Sequence, residues 1–88
     1  MYIIGKLYQL RNNSAYDEID YIIANYLIKN LNKIDQISLK KIIKDIAVSK
    51  STITRFCQDV GFDGYLSLRN ELSIEANEIF QKLYYNKT

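Results

Sequence analysis

The chain has 88 residues, with three glycines, no proline, one cysteine and no histidine. That length holds one domain with a modest core, and so few helix breakers predict an all-α fold, since a sheet-rich one would lack turn residues. A net charge of +2 is too small to select a partner; no apolar run reaches a membrane span, no signal-peptide core is present, and a lone thiol builds no internal disulfide, which suits a reducing cytoplasm.

In chain order, Ile3, Ile4, Leu7, Tyr8 and Leu10 recur at helical spacing and predict a short amphipathic helix that Arg11-Asn12-Asn13 interrupts. Ser14, followed by Asp17, has the pattern of an N-cap for the next helix. Ile19, Ile22, Ile23, Tyr26 and Leu27 give that helix one apolar stripe, ending near Asn30. Residues 31–37 read as a connector with one helical turn, anchored by Ile34 and Ile37. Ser38 is the next N-cap, and Leu39, Ile42, Ile43 and Ile46 form a buried stripe while Lys40, Lys41, Lys44 and Asp45 face away. Ala47 and Val48 interrupt, and Ser49 caps a helix whose core face is Ile53, Phe56, Cys57 and Val60. Gly61 suits the left-handed position that closes a helix, with Phe62 folding back. A last helix over 64–84 carries Tyr65, Leu68, Leu72, Ile79, Phe80 and Leu83.

Residues 39–58 therefore have the outline of a helix-turn-helix, two short helices of which the second can enter the major groove. Opposite the core face of that second helix, Ser51, Thr54, Arg55 and Gln58 fall at i, i+3, i+4 and i+7. All four can hydrogen-bond: arginine matches a guanine edge, glutamine matches adenine, and the threonine methyl packs on thymine. Ser38, Lys40, Ser49, Lys50 and Thr52 sit at the helix starts and suit phosphate contacts. A polar stripe alone is ordinary solvated surface, and Arg55 has Asp59 as an i+4 partner. The charge distribution favours the polyanion reading. Residues 29–55 hold Lys29, Lys33, Lys40, Lys41, Lys44, Lys50 and Arg55 against only Asp35 and Asp45, whereas both flanks are net acidic.

The run Ser38-Leu39-Lys40-Lys41-Ile42, then Val48-Ser49-Lys50-Ser51-Thr52-Ile53-Thr54-Arg55-Phe56-Cys57 and Val60-Gly61-Phe62-Asp63-Gly64-Tyr65, resembles the N-terminal domain of RpiR/MurR-type transcriptional regulators. Upstream, Asp20-Tyr21-Ile22-Ile23-Ala24-Asn25-Tyr26-Leu27 matches that family's second helix, so the resemblance covers nearly the whole chain. It implies a single domain over 1–88, a homeodomain-like five-helix bundle that binds double-stranded operator DNA as a homodimer. It also implies that the last helix leads toward a sugar-phosphate-sensing SIS domain in a longer regulator of sugar or sugar-phosphate genes. Two positions depart from the family pattern: Ala47 stands where the turn usually has glycine, and Ile43 where the helix contact usually has a small residue.

Enzymatic chemistry finds no support in the sequence. Cys57 lies on a core face with no histidine to pair with, so it reads as packing and not as a metal ligand or nucleophile. No glycine loop could cradle a cofactor phosphate, and Asp17 and Glu18 at a helix start are explained by the dipole. Tyr21, Tyr26 and Tyr65 fall on or near helix faces that must be covered. The competing function is a helical protein-interaction module without specific DNA binding. For it, and for a homodimer, the expected surfaces are the stripes Ile3, Ile4, Leu7 and Ile79, Phe80, Leu83.

Overall fold

A computed structural model describes residues 2–15 and 18–86. The described residues form α1 (Ile3–Asn13), α2 (Ile19–Lys29), a 3-10 helix (Leu31–Gln36), α3 (Leu39–Ile46), α4 (Lys50–Val60) and α5 (Tyr65–Asn86). Helical spacing placed the apolar residues, and one core gathers them. Leu7 of α1, Ile23, Ala24 and Leu27 of α2, Ile34 and Ile37 of the connector, and Ile42 of α3 are buried together. Ile53, Phe56, Cys57 and Val60 of α4 join them with Tyr65, Leu68 and Leu72 of α5. The connector tightens into a 3-10 helix because Ile34 and Ile37, both 1% exposed, must reach the same core within one turn.

Three sequence expectations need correction at the N-terminal end. Arg11-Asn12-Asn13 do not interrupt the first helix, which continues to Asn13. Asparagine costs a helix little, and the Arg11 guanidinium lies 4.7 Å from the Tyr8 ring centroid, one turn back, where a cation also suits the helix C-terminus. Ser14 accordingly follows α1 in extended conformation and does not cap α2. That helix starts after Glu18 with no side-chain cap, and Asp17 lies outside the described residues. The apolar stripe of α1 is also not left over for a partner: Leu7 is fully buried, and Ile3 and Ile4 pack against the same core.

What fixes α1 there is a long-range cap. The Glu75 carboxylate on α5 accepts from the Ile3 and Ile4 backbone N–H groups, at 2.8 and 2.9 Å. Those are two of the donors that a helix start leaves without intrahelical partners, and the negative charge sits at the positive end of the helix dipole. From the first turn of α1, the Lys6 ammonium donates to the Val60 carbonyl at 3.0 Å, placing a cation on the last turn of α4.

The two turns around α4 close as the sequence pattern predicts. Gly61, at φ 114°, gives both bonds of a Schellman motif: Gly61 N–H to the Gln58 carbonyl at 3.0 Å and Phe62 N–H to the Cys57 carbonyl at 2.9 Å. Ala47, at φ 54° and ψ 42°, is the only non-glycine residue with positive φ among the described residues. Its N–H donates to the Ile43 carbonyl at 2.9 Å, the bond of an αL cap. Ile43 itself stays at the rim of the core, half-buried. A left-handed alanine keeps a Cβ that glycine lacks, at a cost of about 1 kcal/mol. Ala47→Gly is therefore expected to stabilise the domain slightly, by up to about 0.6 kcal/mol, after allowing for the freer unfolded chain. Chemical denaturation of the two proteins measures the difference, and a destabilised variant would show that the turn carries no such strain.

Candidate nucleic-acid interface

The surface of α4 is set by what its other side buries. Ile53, Phe56, Cys57 and Val60 are all buried, so the helix cannot rotate without exposing one of them. Opposite that stripe, Ser51, Arg55 and Gln58 are exposed and Thr54 is half-exposed. Together with Ser49 and Lys50, these four line a single shallow depression. Arg55 has no ion pair or hydrogen bond among the described residues, including with Asp59. Asp59 instead lines a depression on the α1 side with Lys6, Gln9 and Asn13. Gln58 is partly engaged, its Nε2 lying 3.4 Å from the Asp63 carbonyl oxygen, a long and weak bond on an exposed side chain.

Both helix starts are capped by the serines that the sequence singles out. The Ser38 hydroxyl accepts from Lys41 N–H at 3.0 Å, and the Ser49 hydroxyl accepts from Thr52 N–H at 3.3 Å. Ser49 Oγ also lies 2.8 Å from Thr52 Oγ1 and 3.2 Å from Ser51 Oγ, so three hydroxyls cluster at the start of α4. Lys50 is exposed beside them. Lys40 stands exposed on the outer face of α3 and lines neither this depression nor the one next to it.

Side chains outside the pair hold it in place. The Tyr26 hydroxyl on α2 donates to Asp45 Oδ2 at 2.7 Å, and Lys41 Nζ reaches the same oxygen at 3.0 Å. The Tyr26 bond, followed by that from Lys41, keeps the Asp45 carboxyl below the ordinary aspartate value. Lys41 is thereby occupied in bracing α3 against α2. On the other side, the buried Tyr65 hydroxyl donates to the Ile37 carbonyl at 2.6 Å, tying α5 to the residue just before the Ser38 cap. Burial pushes the Tyr65 hydroxyl up to about 12, so it stays a donor at any physiological pH.

Sequence reasoning had not singled out Ser67, Arg69 and Asn70. With Ser38, Lys50 and Thr54 they line a second depression, where the start of α5 meets the starts of α3 and α4. The signal available was Arg69, the first basic residue after Arg55 in an otherwise acidic stretch.

A family model described as the helix-turn-helix domain of the rpiR family matches residues 5–78. An uncharacterized HTH-type transcriptional regulator of Haemophilus influenzae is 36% identical over 72 residues, which are 82% of this chain but 23% of the relative. The chain thus spans about a quarter of that relative's length. No solved structure gives a significant match.

Cys57 belongs to the buried side of α4, and burial pushes its thiol up to about 11. At pH 8 the folded protein therefore holds a neutral, inaccessible thiol. Iodoacetamide is expected to leave Cys57 unmodified in the native state and to alkylate it readily in denaturant. Rapid native labelling, read by mass spectrometry, would contradict the buried face assigned to α4.

Proposed function

The chain belongs to the rpiR family of helix-turn-helix domains, and from that premise we propose a sequence-specific DNA-binding domain of a transcriptional regulator, with α4 in the major groove. The observation that carries this reading is the single exposed face of Ser51, Thr54, Arg55 and Gln58 opposite a fully buried one. Arg55 is free to present its fork to guanine O6 and N7, and Thr54 offers a methyl for thymine. Gln58 reads adenine after giving up its long bond to the Asp63 carbonyl, a small loss for an exposed group. Ser38, Lys40, Ser49, Lys50 and Thr52 take backbone phosphates. Within the hydroxyl cluster one proton serves the Ser49–Thr52 bond, so the pair offers the other proton, from Ser49 or from Thr52, to a phosphate oxygen. Asp59 lines the depression on the α1 side and is not among the residues that line the reading face.

We assign the homodimer contact to α5. Its 22 residues span about 33 Å, and the buried part of the helix ends at Ala76. Beyond and beside that point Ile74, Ile79, Phe80 and Leu83 are 38–54% exposed, a patch that a second copy would cover. This accommodates the interaction-module reading within the regulator, because pairing sets two copies of α4 about 34 Å apart on a two-fold-symmetric site. DNA as the partner puts the protein in the cytoplasm, and no described helix is long and apolar enough to cross a membrane. Control of sugar or sugar-phosphate genes through a SIS effector domain, with 1–88 as the DNA-binding unit, follows from the family resemblance. No catalysis, metal or cofactor enters the mechanism.

The test begins with duplexes enriched by this protein from a random pool. Arg55→Ala is expected to lose about 1–3 kcal/mol on the enriched duplex and little on an unrelated one, whereas Lys40→Ala weakens both and lowers the salt slope by about 1. Unchanged binding by both variants would refute the assignment. For the dimer, sedimentation at micromolar concentration is expected to show two copies, and Phe80→Asp a monomer. A monomeric parent protein would remove the dimer from the mechanism.

A further inference from the structure

The depression at the start of α5 has a composition that the helix-turn-helix alone does not explain. Ser38, Lys50, Thr54, Asp63, Arg69 and Asn70 are among its lining residues, and it shares Lys50 and Thr54 with the reading face of α4. A polymer seated on that face therefore continues over this groove. Arg69 is half-buried, yet it has no carboxylate or hydrogen-bond partner among the described residues. Its charge is felt at the Tyr65 hydroxyl, which is already committed to the Ile37 carbonyl. The residue is partly covered while its guanidinium has no acceptor among the described residues, so its planar fork of donors is free for an anion in the groove. Donors for such an anion are at hand. Ser38 accepts in its cap and so keeps its proton to give, Asn70 is an exposed amide, and Lys50 adds a second charge. Asp63 is the one carboxylate on the wall.

We infer that this groove seats a phosphate of the DNA backbone, with Arg69 of α5 as its principal ligand and Lys50 shared between groove and reading face. The inference rests on the reading of α4 as a DNA-binding helix. The groove is open and continuous with that helix, which fits a strand running through and not an enclosed small anion. Helix α5 then has two tasks: its first turns extend the footprint on DNA, and its far half remains for pairing.

Binding of the intact chain to an enriched and an unrelated duplex, across a salt series, tests the clamp. Arg69→Ala is expected to weaken both duplexes alike, by roughly threefold to tenfold, and to lower the salt slope by about 0.9, the value of one released phosphate contact. Arg69→Lys should restore the slope. Asp63→Asn, at an exposed position that tolerates the change, should tighten both duplexes by roughly twofold, a gain that misfolding cannot imitate. Unchanged affinity and slope in Arg69→Ala, with Arg55→Ala still losing selectivity, overturns the clamp and leaves α4 as the reader. A loss confined to the enriched duplex also overturns it, since Arg69 would then be reading bases. Phosphate, against chloride at equal ionic strength, is expected to displace DNA from the parent protein more than from Arg69→Ala, because it competes for the same groove; saturable phosphate binding that depends on Arg69 yet leaves DNA bound makes the groove a free-anion site and overturns the clamp. A parent protein that binds neither duplex overturns both readings together.

Discussion

Everything the surface of this domain presents depends on the rotation of α4 about its own axis. Ile53, Phe56, Cys57 and Val60 fix that rotation by being buried at once, three of the four in 3% exposure or less. Turning the helix by one residue, about 100°, would bring part of that stripe into water at roughly 25 cal/mol for each Å² exposed. The polar face therefore points outward because the apolar face has nowhere else to go. Hydrogen bonds at its ends set where the helix begins and stops; they do not decide which side chains it offers.

Around that fixed helix the fold supplies braces that differ in range. Local ones are the Ser38 and Ser49 caps, the left-handed Ala47 and the Gly61 Schellman turn, all within six residues of the group they satisfy. Long-range ones are Glu75 on the start of α1, Lys6 on the end of α4, Tyr26 on Asp45 and Tyr65 on Ile37. Glu75, Lys6 and Tyr65 satisfy helix ends or a buried hydroxyl, while the Tyr26–Asp45 bond ties α2 to α3 at the surface. Removing one such partner leaves a buried or half-buried polar group behind, which costs more than the bond itself contributes. The same design lets α3 carry exposed lysines: Asp45 holds Lys41, while Lys40 and Lys44 stay exposed.

The boundary between what the residues disclosed and what they did not follows this division of range. Periodicity located all five helices, because an apolar stripe is a local signal, and the serines before Leu39 and Lys50 announced their caps. The turn at Ala47 was legible as the place where the family usually has glycine, while its left-handed backbone is a finding of the structure. The end of α1 was misread because Arg11-Asn12-Asn13 looks like a break, while the Arg11–Tyr8 contact that supports the last turn has no mark in the pattern. Glu75 was invisible as a cap: it lies 72 positions from Ile3, and nothing near it announces a helix start. The stripe Ile3, Ile4, Leu7 looked like surplus surface because sequence cannot say that α2 and α5 together cover it. Arg69 escaped notice for the same reason, since it joins the helix-turn-helix only through the folding back of α5.

The claim that most needs a direct measurement is that DNA meets the outward face of α4. Amide and arginine side-chain NMR shifts, followed while an enriched duplex is added to the labelled protein, map that contact without any substitution. The largest changes are expected from Ser49 to Gln58 and at the Arg55 Nε–H, with the α1 face quiet. Shifts centred on α1 or on the far half of α5, with Arg55 unmoved, would contradict it.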